Sequence, residues 1–429
     1  MKRIALLLTA AALGGGCQEP TQPPSLQLEE SDGAVVRVAA PTGNEAVDIP
    51  NIRAAIAAAT PGAVIQFARG TYAIGDPRET QFVVSVPGVT LQGDRRGTTM
   101  RGVRLFASDP RAAECCLPGS GSFLLNGGHQ TVRRLNFDGF LWALSLGAPG
   151  SPIGGYRVEQ NTFRNGYVGV DLITFSDDVT TVEDNTFENL TAPLFIGGKT
   201  IEIRHNLITT TDPAELTWGQ PAQGVNFFPE FLSLFLPGFP ASPTVCENNV
   251  VEGNTFVRFN ESIFFLALPG DVCRNNVIRN NEVIDAHIYN TLFIDNGSMA
   301  YLGAPGLYQN NVIQGNVLHG SEGVGVILET GSGNRIIGNE FHDLPGQQST
   351  YVGYPGTAII LGAATSGNKV RGNEFENVVN PVVDLGTDNS VQGARTTSTP
   401  LSAQRVAAPA TPASGENPRL RLFGGRFRN

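Results

Sequence analysis

The chain has 429 residues and a formal net charge of −10, with 39 acidic against 29 basic side chains. A binder of phosphate backbones needs a basic face, so this balance argues against nucleic acid as a partner. Between two low-complexity ends about 360 residues remain, ample for one elongated core.

The first residues, "MKRIALLLTAAALGGGC", read as an export signal over 1–16. Lys2 and Arg3 form a positive region, and Ile4 to Leu13 an apolar run too short to span a bilayer. No other segment could span one. With Cys17 directly after small residues, the segment resembles a bacterial lipoprotein signal, although Gly14 stands where that family has an aliphatic residue. The resemblance implies a mature chain that starts at Cys17 and carries its lipid there. Gln18 after it implies the outer membrane of the cell envelope. The plain alternative is an ordinary cleaved signal with an incidental cysteine. Residues 17–45 are Pro-rich and polar, as a lipid-anchored tether should be.

The domain expected over 46–393 opens with "NIRAAIAAATPGAVIQFARGTYAI", in which Ile52, Ala55, Ile56 and Ala59 share one helical face. Further on one phrase recurs, as in "VEDNTFEN", "GNRIIGNEFHD" and "GNKVRGNEFEN". Its anchors are Asn161, Asn185, Asn206, Asn254, Asn281, Asn316, Asn339 and Asn373, at intervals of 24, 21, 48, 27, 35, 23 and 34 residues. Around each anchor apolar and polar residues alternate, which reads as a short strand, and Gly and Asn mark tight turns. Short strands repeating without helices suit a solenoid of parallel coils, in which residues of one phase stack into ladders. An inward Asn can then pass amide hydrogen bonds up and down the stack.

On these residues the chain resembles the pectate-lyase-like right-handed parallel β-helix superfamily, from about Asn51 to Gly393. The opening segment looks like that superfamily's cap helix and first coil, and "GVTLQGDRRGTTM" like its second. The fold class expected is therefore all-β: a right-handed parallel β-helix with an N-terminal capping helix and low-complexity tails. Cys246 and Cys273 test the register. Each precedes a near-identical phrase, "CENNVVEGN" and "CRNNVIRNN", 27 residues apart, so they should occupy one place on successive coils. A disulfide is then within reach, the other reading being two reduced cysteines stacked in the core. Adjacent Cys115 and Cys116 have no partner assignable from sequence.

Chemistry on such a solenoid must come from outward side chains on neighbouring coils. Three or four places after the anchors stand Arg258, Asp285, His319, His342 with Asp343, and Glu376. His287 follows Asp285 by two. Ladder logic puts Arg258 over Asp285 and His319 beside His342. Imidazoles can move protons and carboxylates can orient them or hold a metal, so the row reads as a shallow polysaccharide or metal site. The plainer reading is a solvated turn row, with Arg258–Asp285 a weak exposed ion pair. A second row, Asp171, Asp295 and Glu329, offers carboxylates of the kind that bind Ca²⁺ in pectate lyases; no other cofactor is indicated. In the 48-residue interval Trp218, Phe227, Phe228, Phe231, Phe235 and Phe239 concentrate aromatics. Some must face the core, and those left outside, especially Trp218 and Phe239, suit stacking on sugar rings or covering a cleft.

Lyases of this superfamily use Lys or Arg to take the proton beside a uronate carboxylate. The mature chain has only Lys199 and Lys369, so the role falls to Arg258. The hydrolases of the fold need an Asp pair with GHG and RIK motifs; Asp177 and Asp178 are present and both motifs are missing. Two functions remain open. One is an envelope lipoprotein that binds and processes an extracellular polysaccharide, lyase- or epimerase-like, centred on Arg258, Asp285, His319 and His342. The other is a non-catalytic β-helix acting in adhesion or envelope structure. The partners expected are a surface glycan and, through the lipid, the membrane, with the chain a monomer. Residues 394–429 form a basic low-complexity tail, in which six arginines face only Glu416.

Overall fold

The computed structural model describes residues 33–76, 80–103, 122–147, 152–211, 223–227, 245–267, 270–287, 298–303, 306–344, 354, 356–393 and 395–396. The export signal, Cys17, Cys115, Cys116, Trp218, Asp295 and the tail beyond Thr396 lie outside the described residues.

Each coil adds one short strand to each of three sheets. Among the described residues, 13 strands form the first sheet, from Val35–Arg37 to Ser390–Gln392. The second sheet has 12, from Gly70–Gly75 to Arg395–Thr396, and the third has 14. All neighbours pair in parallel, as Val158 does between Val132 and Val182. The chain is an all-β, right-handed parallel β-helix. Alternation explains it. In most first-sheet strands a single inward aliphatic residue, such as Leu91, Val182 or Ile203, is fully buried between two partly exposed ones. The second sheet stacks aromatics instead. Phe163 lies 5.0 Å from Phe137 and 4.9 Å from Phe187, ring centre to ring centre.

The boundaries differ from those expected. Val35–Arg37 pairs with Val64–Gln66, so the first sheet begins inside the stretch 17–45 assigned to the tether. At the other end Arg395–Thr396 pairs with Glu374–Phe375, beyond residue 393. A two- or three-residue extended segment carries too weak a periodic signal to be read as a strand, yet suffices to add one to an existing edge.

Helix α1 (Glu45–Ala57) closes the N-terminal end, with Asn44 as its cap accepting from Ala46 N–H. Ile52 and Ala55 are buried against the first coils, and Ile56 and Ala59 pack partly buried beside them. The exposed edges of a stack invite pairing, and α1 covers one of them. Its position is pinned by Asp48, which is fully buried. That carboxylate accepts from the Thr42 N–H and hydroxyl, from Gly43 N–H and from Ala73 N–H at 2.8–3.0 Å.

The eight anchor asparagines form one unbroken column. Each Nδ2 donates to the Oδ1 of the next, from Asn161 to Asn373, at 2.9–3.1 Å. A second column, which the sequence reading missed, links Asn249, Asn276, Asn311, Asn334, Asn368 and Asn389 at 2.9–3.0 Å. Its signal was available: each of its first five members stands five places before an anchor. The residue preceding a ladder Asn adopts a left-handed backbone, as Gly338 does with φ 61° and Asp184 with φ 54°, which turns the chain from one sheet to the next. Beside the second column, Cys246 and Cys273 are direct register partners and form a disulfide, with Cα atoms 4.5 Å apart.

Candidate functional site

The row foreseen three or four places after the anchors is two rows with different geometry. The third place lies on the outer face of the second sheet. There Ile284, His319, His342 and Glu376 are successive register partners. The two imidazoles stack, with ring centres 5.3 Å apart and planes 17° from parallel. Carboxylates surround them. His342 Nδ1 lies 3.0 Å from Glu376 Oε2 and its Nε2 3.5 Å from Glu340 Oε2, while His319 Nε2 is 3.6 Å from Glu282 Oε1. Glu282 and Glu340 occupy the next outward column, two residues earlier on their strands, and were not named from the sequence. The face is open: about half the His319 side chain is exposed, and a quarter of His342.

The fourth place is a left-handed turn residue on coil after coil, with φ 61° at Arg258, 54° at Asp285, 58° at Asp343 and 53° at Asn377. Arg258 and Asp285 follow paired residues, Val257 and Ile284, as expected. Their side chains part. Arg258 Nη1 donates to the Thr211 carbonyl on the coil below, at 3.1 Å. Asp285 leans to the coil above, where a Cβ added to Gly320 would stand 3.3 Å from its Oδ1. The expected Arg258–Asp285 ion pair is therefore corrected: each group finds its neighbour along the solenoid axis in the opposite direction. Higher in the same row Asn377 Nδ2 donates to Asp343 Oδ1 at 2.8 Å. His287 is drawn off to Glu322, 2.7 Å away.

The third sheet is closed where the second is open. Its outer positions are buried in a second apolar cluster that includes Trp142, Phe195, Phe264, Tyr301 and Ile327. Polar groups are buried among them. Ser145 Oγ donates to Asp171 at 3.3 Å, Gln223 Nε2 to Glu261 at 3.3 Å, and the Tyr301 hydroxyl to Glu329 at 2.6 Å. Of the carboxylate row expected to hold Ca²⁺, Asp295 lies outside the described residues, and the other two members are not neighbours. Asp171 and Glu329 stand five strand steps apart, roughly 24 Å at about 4.8 Å per step. Among the described residues no group of three or more His, Cys, Asp or Glu side chains is placed to hold a metal ion. Glu261 and Gln223 were also missed from sequence. Their signal is a polar residue opening an otherwise apolar strand, as in "ESIFFL".

Residues 151–341 match the family model described as "Right handed beta helix region". No curated protein matches the sequence. Several solved structures are similar to it. The A-module of the mannuronan C-5 epimerase AlgE4 of Azotobacter vinelandii is 16% identical, with 86% of this chain and 96% of that one covered and a TM-score of 0.45. The catalytic unit of a GH87 α-1,3-glucanase from Streptomyces thermodiastaticus is 12% identical, with 86% and 70% covered and a TM-score of 0.49. PfbA, a surface adhesin of Streptococcus pneumoniae, is 11% identical, with 85% and 91% covered and a TM-score of 0.46.

Proposed function

We propose that this chain binds an extracellular polysaccharide along the open outer face of its second sheet, held at the cell envelope by a lipid on Cys17. The observation that supports the binding is the stacked pair His319–His342 with carboxylates on both sides. Imidazole ring nitrogens exchange hydrogen bonds with sugar hydroxyls, and carboxylates accept from them. The strand spacing repeats these groups at a constant interval, as a polymer of one repeating unit requires. The column of Glu282 and Glu340 carries Thr162, Thr186 and Thr255 on lower coils, with Leu207 and Val317 as apolar members between the polar ones. Arg258, Asp285, Asp343 and Glu376 border it.

A second reading, processing of the bound chain by lyase- or epimerase-like chemistry, is favoured by one contact. Glu376 at 3.0 Å holds His342 by Nδ1, which leaves Nε2 turned to Glu340 and to solvent, an orientation a proton-transfer group needs. One assay separates the two. The protein is applied to a panel of immobilised polysaccharides and the products are analysed. Binding weakened about tenfold or more in His319→Ala/His342→Ala, at unchanged melting temperature, is the expected result. Chain cleavage or altered sugar stereochemistry that stops in His342→Ala establishes processing. Equal binding by wild type and the double variant removes this face from consideration.

For the anchor, Cys17→Ala should move the protein from the membrane to the soluble fraction of an expressing cell. Identical partition of the two forms would exclude the lipid.

A further inference from the structure

A basin of about 720 Å³ opens at the corner between the first and second sheets, at the N-terminal end of the solenoid and well away from the histidines. Turns of three successive coils build it: Asp94, Arg95 and Arg96 from one, Arg134 with nearby Asn136 from the next, and Gln160 from the third. We infer that this basin binds the acidic group of a polyanionic glycan, a sulfate or a carboxylate.

Three guanidinium groups meet a single carboxylate here, on a chain whose net charge is −10. That carboxylate is already engaged. Asp94 Oδ1 accepts from Arg96 Nε at 3.2 Å and from the Arg96 backbone N–H at 2.8 Å, and Oδ2 from Arg96 Nη2 at 3.4 Å. These hydrogen bonds from Arg96 hold the Asp94 carboxyl below the usual carboxylate range, with Arg69 adding to the field. Arg133, next in the chain, is likewise committed to Gln92 and Glu159 on its own sheet face. Arg95 and Arg134 are different. No ion pair engages either of them among the described residues. Arg134 is steadied by Nε donating to Gln160 Oε1 at 3.4 Å, which leaves its two terminal nitrogens for a ligand. A planar guanidinium fork matches the paired oxygens of sulfate or carboxylate.

The backbone points the same way. Arg134 and Gln160 both have φ 56°, at the left-handed turn position where later coils carry Asp184, His205, Gly253, Asn280, Gly315 and Gly338. A long side chain at such a position is strained, and strain of this kind concentrates where a side chain has a task. A glycan suits the basin better than a bare anion or a lipid headgroup. Asn136 and Gln160 add neutral amides for hydroxyl groups. From Asn136 the second sheet leads on through its register partners Thr162 and Thr186, a hydroxyl-bearing track for the rest of the polymer. The inference stands independently of the histidine face, which lies six strand steps farther on, roughly 29 Å at about 4.8 Å per step.

Dextran sulfate and plain dextran, which share a backbone and differ in charge, are the decisive pair of probes, with polygalacturonate as the carboxylate arm. The wild-type protein should bind at least one polyanion and not dextran, and binding should weaken as salt rises to about 0.3 M. Arg95→Gln/Arg134→Gly should lose at least about tenfold in affinity, while Arg133→Gln changes it less than about twofold. Glycine relieves φ 56°, so the double variant should melt no lower than wild type. Three results would overturn the inference: polyanion binding undiminished in the double variant, dextran binding as tight as dextran sulfate, or vesicles of phosphatidylglycerol preferred over both polyanions.

Discussion

Asn316→Ala is expected to destabilise the protein by about 4 kcal/mol, measured by urea unfolding followed by circular dichroism. Asn316 is fully buried in the middle of the first column. Its Oδ1 accepts from both the N–H and the Nδ2 of Asn281, and its Nδ2 donates to Asn339 Oδ1 and the Ile278 carbonyl. Alanine strips the Asn281 N–H of its acceptor, deprives the Ile278 carbonyl of a donor and leaves a cavity. Each buried polar group left unmet costs about 1–3 kcal/mol. Asn389→Ala, at the end of the second column and partly exposed, should cost less than half as much, because water can reach what it leaves. If Asn316→Ala lost under about 1 kcal/mol, the column would be a by-product of strand pairing rather than a support of it.

Asp48→Asn should cost about 3 kcal/mol at neutral pH, and the loss should disappear in acid. Burial by itself raises the Asp48 carboxyl, but the hydrogen bonds from Thr42, Ala73 and Gly43 outweigh it and hold the group below its ordinary value. The sign follows. A carboxyl whose value is lower in the folded than in the unfolded chain contributes stability above the unfolded value, about pH 4, and loses it as pH falls through the folded one. Asparagine imitates the protonated group: its Nδ2 faces N–H donors that need an acceptor. The difference between wild type and Asp48→Asn should therefore be constant from about pH 5 to 7 and shrink below about pH 4. Hydrogen exchange should show the loss concentrated in α1 and the first coils, since coils of a solenoid contact only their neighbours. A difference that grew in acid would mean that Asp48 is not the acceptor the geometry makes it.

Much of this could be read from one phrase. In "GNEFHD" and "GNEFEN" the Gly turns the chain, Asn339 and Asn373 join the column, and Phe341 and Phe375 stack inside with ring centres 5.6 Å apart. His342 and Glu376, the part that differs, face each other outside. The pairing of Cys246 with Cys273 and the capping face of α1 were legible for the same reason, since each depends on local phase. The candidate site was legible only as far as register reaches. His319 and His342 meet because both lie on straight strands, whereas Arg258 and Asp285 lie in left-handed turns, whose side-chain directions no alternation pattern encodes.

What the sequence by itself determined is the repeating interior: every coil has to satisfy the same buried backbone and fill the same cross-section, so the same residues recur. Only the tertiary structure decided which outer faces stay open and which distant turns meet. The burial of the third sheet's outer positions and the gathering of Arg95, Arg96 and Arg134 around one basin depend on how successive coils stack. That is a sum over the whole chain, which no single stretch of it carries.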